Sequence, residues 1–364
     1  MSKLNCRHFI FIILGTTIVG LKTYPNLIIQ HAVRDSWIAV SIASVLIFLF
    51  TIYILWICKK TNTYNLSEIY NSALGKILGP ICLFFFILTL FLTLIESSSI
   101  ESNALRENLL LDTPSWYILL FFILIAIYSI NKGLRALLMI TIFAIITIMF
   151  AGINLGIMTT KYKQSKYLFP ILENGLDLNF WIGTLKSLGC YSSIAIFLPF
   201  LVDINKKERH KLIKNSIIAL IIVIQMQIIS MTGIITTFGP KRALSIWYPK
   251  LIQTQLVSYF GFLESGEFFV MLQMVGGWFI KYILTFYAFL NLLKEFNISN
   301  EYNIYISSSA VLLSSFFISR NIFTLYKFLD YYIYISLINF IAVPLIIFTI
   351  FLIKYKLNSS SKNN

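Results

Sequence analysis

Apolar runs long enough to cross a bilayer recur along nearly the whole chain, with only short polar breaks between them. A hydrocarbon core about 30 Å thick takes roughly 20 apolar residues per helical pass. By that rule the spans fall at 8–32, 36–58, 79–103, 115–131, 134–158, 180–202, 213–237, 266–292, 302–319 and 331–353. A membrane barrel would instead show segments of about ten residues of alternating polarity. Only 12% of the 364 residues are charged and 58% are hydrophobic, whereas a soluble domain is about 25% charged. No polar segment is long enough to form a soluble module. The sequence therefore reads as a single membrane domain over 1–364: all-α, with about ten transmembrane helices.

The net charge of +14 takes its meaning from that setting. Basic residues at span ends set orientation and meet anionic lipid, so the bilayer is the expected partner and nucleic acid is not. The densest cluster, Lys206, Lys207, Arg209, Lys211 and Lys214, lies in a short loop, where the positive-inside rule counts most. It places both termini in the cytoplasm. Three loops are long enough for structure of their own. Residues 59–78 contain Asn65-Leu66-Ser67-Glu68, a helix start, and read as a short amphipathic helix on the inner surface. Residues 159–179 form an outer loop with lysines. Residues 238–265 open on Gly239-Pro240 and carry Trp247-Tyr248-Pro249 at the outer interface.

Catalytic and metal constellations are not evident. His8, His31 and His210 sit near the expected membrane surfaces without ligand neighbours at metal-binding spacing. Cys6, Cys58, Cys82 and Cys190 fit neither a zinc site nor a disulfide framework. The expectation is a protein with no metal, no cofactor and no enzymatic activity.

Two spans are poor continuous helices. The first reads Leu14-Gly15-Thr16-Thr17-Ile18-Val19-Gly20-Leu21-Lys22-Thr23-Tyr24-Pro25. Pro25 removes a backbone donor and disfavours helix at Tyr24. Irregular backbone at membrane depth survives only against protein or a wet cavity, so the break marks either a binding site or close helix packing by small residues. The sixth span has a matching weak point, Lys186-Ser187-Leu188-Gly189-Cys190-Tyr191-Ser192-Ser193, with Pro199 beyond. It runs opposite to the first, and breaks at corresponding places in two five-span halves are the mark of inverted-repeat transporters. Charges at depth are costly, about 2.5–3.5 kcal/mol each on insertion scales. Lys22 and Lys186 can snorkel outward, and Lys281, near the middle of its span, does so less easily. It either pairs with Glu96 of the third span, which also carries Glu101, or faces the cavity and reads a ligand carboxylate.

Several patterns in order give the chain a family resemblance: Gly15-Thr16-Thr17 with Gly20 and Tyr24-Pro25; Asp35-Ser36-Trp37; Leu105-Arg106 and then Thr113-Pro114; Tyr248-Pro249, Phe262-Leu263-Glu264, Trp278 and Phe279-x-Lys281. Together they resemble the B subunit of bacterial spore germinant receptors, the spore germination permeases of the amino acid–polyamine–organocation transporter superfamily. The resemblance implies a five-plus-five inverted-repeat transporter fold with a ligand site between the first and sixth spans, walled by the third and eighth. It implies a location in the spore inner membrane, in a complex with an A-type membrane subunit and a C-type lipoprotein subunit. The ligand would be a small germinant, typically an amino acid, and the activity would be sensing, with ion- or proton-coupled amino acid transport as the alternative. By motif position the ligand-facing set would be Gly15, Thr16, Gly20, Glu96, Gly189, Tyr191, Phe197 and Thr285, with Lys281 and Pro25 in structural or gating roles. One departure stands out: where the family has an arginine and an aspartate after Phe-Leu-Glu, this chain has Ser265-Gly266-Glu267.

Overall fold

The computed structural model describes residues 4–173, 175–257, 266–296, 298, 300 and 302–360. Among these, seven helices are long and apolar enough to cross a membrane, and three shorter apolar helices, His8–Thr23, Ser115–Asn131 and Asn303–Ser319, stand with them. The Phe262-Leu263-Glu264 pattern and Ser265 lie outside the described residues.

The first span is three short helices, α1 (His8–Thr17), α2 (Gly20–Thr23) and α3 (Asn26–Ala32). Threonine hydroxyls weaken the ladder ahead of the first gap, because Thr16 and Thr17 both donate to the Ile13 carbonyl. The second gap lies at Tyr24, whose backbone (φ −124°, ψ 52°) is not helical. Pro25 then restarts the chain, and its carbonyl accepts the amides of Ile28 and Ile29.

α4 (Ser36–Thr61) forms the second span, α5 (Leu66–Asn108) the third, α6 (Ser115–Asn131) the fourth and α7 (Leu134–Met158) the fifth. The start expected at Asn65 is present: its side chain accepts the Glu68 amide at 3.3 Å. The short helix it caps is not a separate surface element. It runs into the third span across Gly75, which at φ 84° takes a conformation that costs other residues a steric clash.

The sixth span changes character at its middle. α8 (Leu178–Tyr191), capped by Asp177, gives way to a 3₁₀ stretch at Ser192–Leu201 that contains Pro199. Its backbone lies beside α1 and so brings the two irregular spans together. Beyond it, Leu4 pairs with the loop after the sixth span, its amide on the Asp203 carbonyl and its carbonyl on the Asn205 amide. The N-terminal segment and the basic loop therefore share one end of the bundle.

α9 (Leu212–Ala243) outruns its apolar segment, because Gly239 at φ 72° kinks the helix and lets Pro240 begin another turn. The expected loop consequently shortens, and Pro249 opens a further helix, α10 (Pro249–Gln255). α11 (Glu267–Glu295) and α12 (Asn303–Ser319) follow. The last span also starts earlier than expected: α13 (Ile322–Leu337) is capped by Asn321 and passes through a π-turn at Ile338–Ala342 into α14 (Val343–Ser360). The π-turn precedes Pro344, which has no amide to offer the ladder.

Small residues set the closest approaches, as expected where lipid supplies no hydrophobic drive between helices. A Cβ on Gly189 would lie 2.6 Å from the Ile333 carbonyl oxygen on α13. One on Gly276 would meet only Ile148, at 3.5 Å. Gly189→Ala should therefore lower the unfolding midpoint in detergent by an amount equivalent to about 1–3 kcal/mol, the usual cost of overpacking. Gly276→Ala should leave the midpoint unchanged or raise it. Equal midpoints for the two variants would refute the packing account.

Candidate functional site

Glu96 on α5 is fully buried, and its carboxylate is held from two spans. Lys281 on α11 places its ammonium 2.6 Å from Oε2, and the Tyr24 hydroxyl donates to Oε1 at 2.6 Å. The break at Tyr24 is thus tied to the third and eighth spans through one carboxylate. The surroundings fix both partners. The Tyr24 ring stacks on Trp278 at a centroid distance of 6.2 Å, and Lys281 Nζ lies 4.9 Å from the Trp278 ring centroid. The Trp278 indole donates to Thr23 Oγ1 at 3.1 Å. The pairing reading of Lys281 is the one this geometry displays. Charges at such depth are compensated by one another, and the short hydrogen bonds are of the strong, charge-assisted kind.

Gln227 on α9 closes the other gap. Its amide nitrogen donates to the carbonyls of Thr17 and Ile18, both at 3.0 Å, where α1 loses its ladder. Asn26, at the start of α3, donates to the carbonyls of Leu244 and Ile246. Gln227 therefore satisfies the broken span from a neighbour, and Asn26 of the broken span satisfies carbonyls of the segment after α9.

The residues marked in the sequence do different things here. Gly20 sits at the junction of the two irregular spans, where a Cβ would lie 3.2 Å from the Tyr24 hydroxyl and 3.6 Å from the Cys190 carbonyl oxygen. Gly15 and Gly189 are packing glycines, the first against Ile280 and Leu284 and the second against Ile333. Thr16 and Thr285 direct their hydroxyls to their own helices, at the Ile12 and Lys281 carbonyls. Tyr191 reaches Ser44 at 2.7 Å, and Phe197 stands edge-on to Phe9. Glu96, Gly20, Lys281 and Pro25 are close to the Tyr24 break, whereas Gly15, Gly189 and Phe197 engage other neighbours. None of the eight ligand-set residues lines the cavities of about 540, 470 and 400 Å³ in the bundle.

Lys186 does not snorkel: it is buried and pairs with Asp330 on α13 at 2.6 Å. Glu101, one turn beyond Glu96, is buried with neither carboxylate oxygen hydrogen-bonded. Tyr24, Trp278 and Gln227 are the residues that reading the sequence for a site left out. Two glutamines, Gln225 and Gln227, in an otherwise apolar run were the available signal for Gln227.

A broken first span, a broken sixth span and polar side chains converging at membrane depth define a transporter-fold membrane protein. The structure superposes on the crystal structure of a mutant manganese transporter from Eremococcus coleocola with a TM-score of 0.55, covering 93% of this chain and 78% of that one at 14% identity. The fold is thus the five-plus-five inverted repeat of that class. A family model described as spore germination protein matches residues 3–324, and the chain belongs to that family. It is 23% identical to spore germination protein XB of Bacillus anthracis over 80% of this chain and 81% of the relative. It is 26% identical to spore germination protein YndE of Bacillus subtilis, with 79% of each chain covered. To B2 of the same species it is 22% identical, over 87% of this chain and 86% of the relative.

The buried pair gives a non-additivity test. Glu96→Gln or Lys281→Met alone leaves one buried charge uncompensated and should cost about 3–5 kcal/mol in unfolding experiments. The double variant should recover most of that loss. Glu101→Gln, which removes an unpaired charge, should be neutral or stabilising. Additive losses in the double variant would mean that the pair is not a unit.

Proposed function

We propose that this chain is the germinant-sensing membrane subunit of a spore germination receptor. It binds a small ligand, of the amino acid class, at the junction of the first and sixth spans and signals to A-type and C-type partner subunits. The observation that carries this reading is the tie between the Tyr24 break and Glu96. The broken end of the first span is held by a hydrogen bond that a polar ligand can replace. The half-helix start at Gly20 supplies amides of the kind that hold a carboxylate. Family membership supports the germination role, and the spore inner membrane with cytoplasmic termini is the location that goes with it.

The junction is close-packed, with Tyr24, Tyr191, Phe197 and Trp278 all fully buried. Ligand entry therefore requires an opened state, and a signal follows only if the ligand binds the two states with different affinity. The transporter architecture favours one second reading, an amino acid carrier coupled to an ion or proton. The same junction serves both readings, so flux is what separates them.

A thermal-unfolding screen of the purified protein against amino acids, nucleosides, sugars and salts should find a ligand that stabilises by mass action. Gly20→Val, which crowds Tyr24 and Cys190, should abolish that stabilisation. Radiolabelled uptake into liposomes should show no concentrative flux. Robust concentrative uptake would replace the receptor reading with the carrier one.

A further inference from the structure

Three lysines from distant parts of the sequence converge on one cavity of about 470 Å³. Lys22 comes from α2, Lys163 from the turn after α7 and Lys250 from α10; α7, α9 and α11 complete the walls. No carboxylate among the described residues lines it. Among the described residues none of the three lysines belongs to an ion pair. Like charges gathered without a counterion raise the energy of the fold, so their proximity calls for an anion.

The lysines are held in place. Lys250 donates to Gln253 Oε1 at 2.8 Å, and Gln253 in turn donates to the Gly233 carbonyl and the Thr237 hydroxyl of α9. Lys163 donates to the Gly156 carbonyl at 3.3 Å, and the next residue anchors that turn through its amide on the Thr236 carbonyl at 2.8 Å. Burial, then the ammonium groups of Lys22 and Lys163, push Lys250 down to about 7.

Two further polar groups in the lining are idle. Gln273 on α11 and Ser230 on α9 are 5% and 4% exposed, and Gln273 Nε2 and Ser230 Oγ have no hydrogen-bond partner among the described residues. Gly152 on α7 makes room for that amide, since a Cβ there would lie 3.4 Å from Gln273 Nε2. Buried donors without acceptors are rare in folded proteins and call for an explanation. An oxyanion within the cavity supplies one for all five groups.

We propose that this cavity is an anion-binding site for a phosphate group, distinct from the junction of the first and sixth spans. The three ammonium groups supply charge, and Gln273 and Ser230 supply directed hydrogen bonds. The rest of the lining includes Ile153, Ile157 and Ile229, whose side chains are exposed on the outside of the bundle. The same lip accepts a phosphate carried on a lipid headgroup or a free phosphate.

The test uses the full chain in a neutral detergent and reads the thermal unfolding midpoint. One arm titrates phosphatidylglycerol against phosphatidylcholine; the other titrates inorganic phosphate against chloride at equal ionic strength. The wild type should be stabilised in at least one arm, with phosphatidylglycerol alone identifying the lipid source and inorganic phosphate identifying a free anion. The triple variant Lys22→Gln, Lys163→Gln, Lys250→Gln should lose the response by at least tenfold in midpoint concentration. A control triple at exposed lysines, Lys59→Gln, Lys76→Gln and Lys206→Gln, should respond as the wild type does. Without added anion the cavity triple should unfold at an equal or higher temperature than the wild type, because it removes repulsion. No wild-type response in either arm, an undiminished response in the cavity triple, or a cavity triple less stable without anion would overturn the proposal.

Discussion

A carboxylate buried at membrane depth has to be compensated where it stands, and the arrangement around Glu96 follows from that requirement. Lys281 answers its charge and Tyr24 occupies its other oxygen, so the third and eighth spans and the broken first span meet at one group. In lipid, helices gain little from burying apolar surface against one another, and packing and hydrogen bonds do more of the work. Glu96 is such a link, and so is Gln227, which satisfies the carbonyls that α1 leaves open. Removing one partner strands another at a depth where water is not available.

The same logic joins the two halves of the molecule. Gly20 faces both the Tyr24 hydroxyl and the Cys190 carbonyl, so the first span's break and the sixth span's change of winding share a wall. The one-turn helix α2 is the common element. Lys22 on it lines the lysine cavity, Thr23 accepts the Trp278 indole, and Tyr24 just beyond reaches Glu96. A displacement of this turn alters all three environments together.

Much of this was legible in the sequence, because apolar length and the position of Pro25 speak directly to bilayer thickness and backbone bonding. The spans and the two irregular ones were readable on that basis, as was the cap at Asn65. Contacts between residues far apart in sequence were not. Lys186 reads as a snorkelling lysine until Asp330, more than a hundred residues later, is seen beside it. The last span looked shorter because Lys327 and Asp330 interrupt its apolar run, although the helix begins at Ile322, capped by Asn321. Lys22, Lys163 and Lys250 read as one snorkelling lysine within a span and two loop lysines, and only folding places them on one cavity. Motif position put Thr16 and Thr285 in the ligand set, and it says nothing of where their hydroxyls point in this structure. Thr16 and Thr285 bond their own helices, as hydroxyls in apolar helices commonly do when no better partner is near.

The central claim is that ligand binding acts on the Tyr24 break through its bond to Glu96. Hydrogen–deuterium exchange on the full-length protein in lipid nanodiscs, with and without an equimolar mixture of L-amino acids, tests it most directly. Amide exchange should change over residues 18–25 and 192–201, and the change over 18–25 should vanish in Tyr24→Phe. Unaltered exchange in both segments, or an identical response in Tyr24→Phe, would contradict the account.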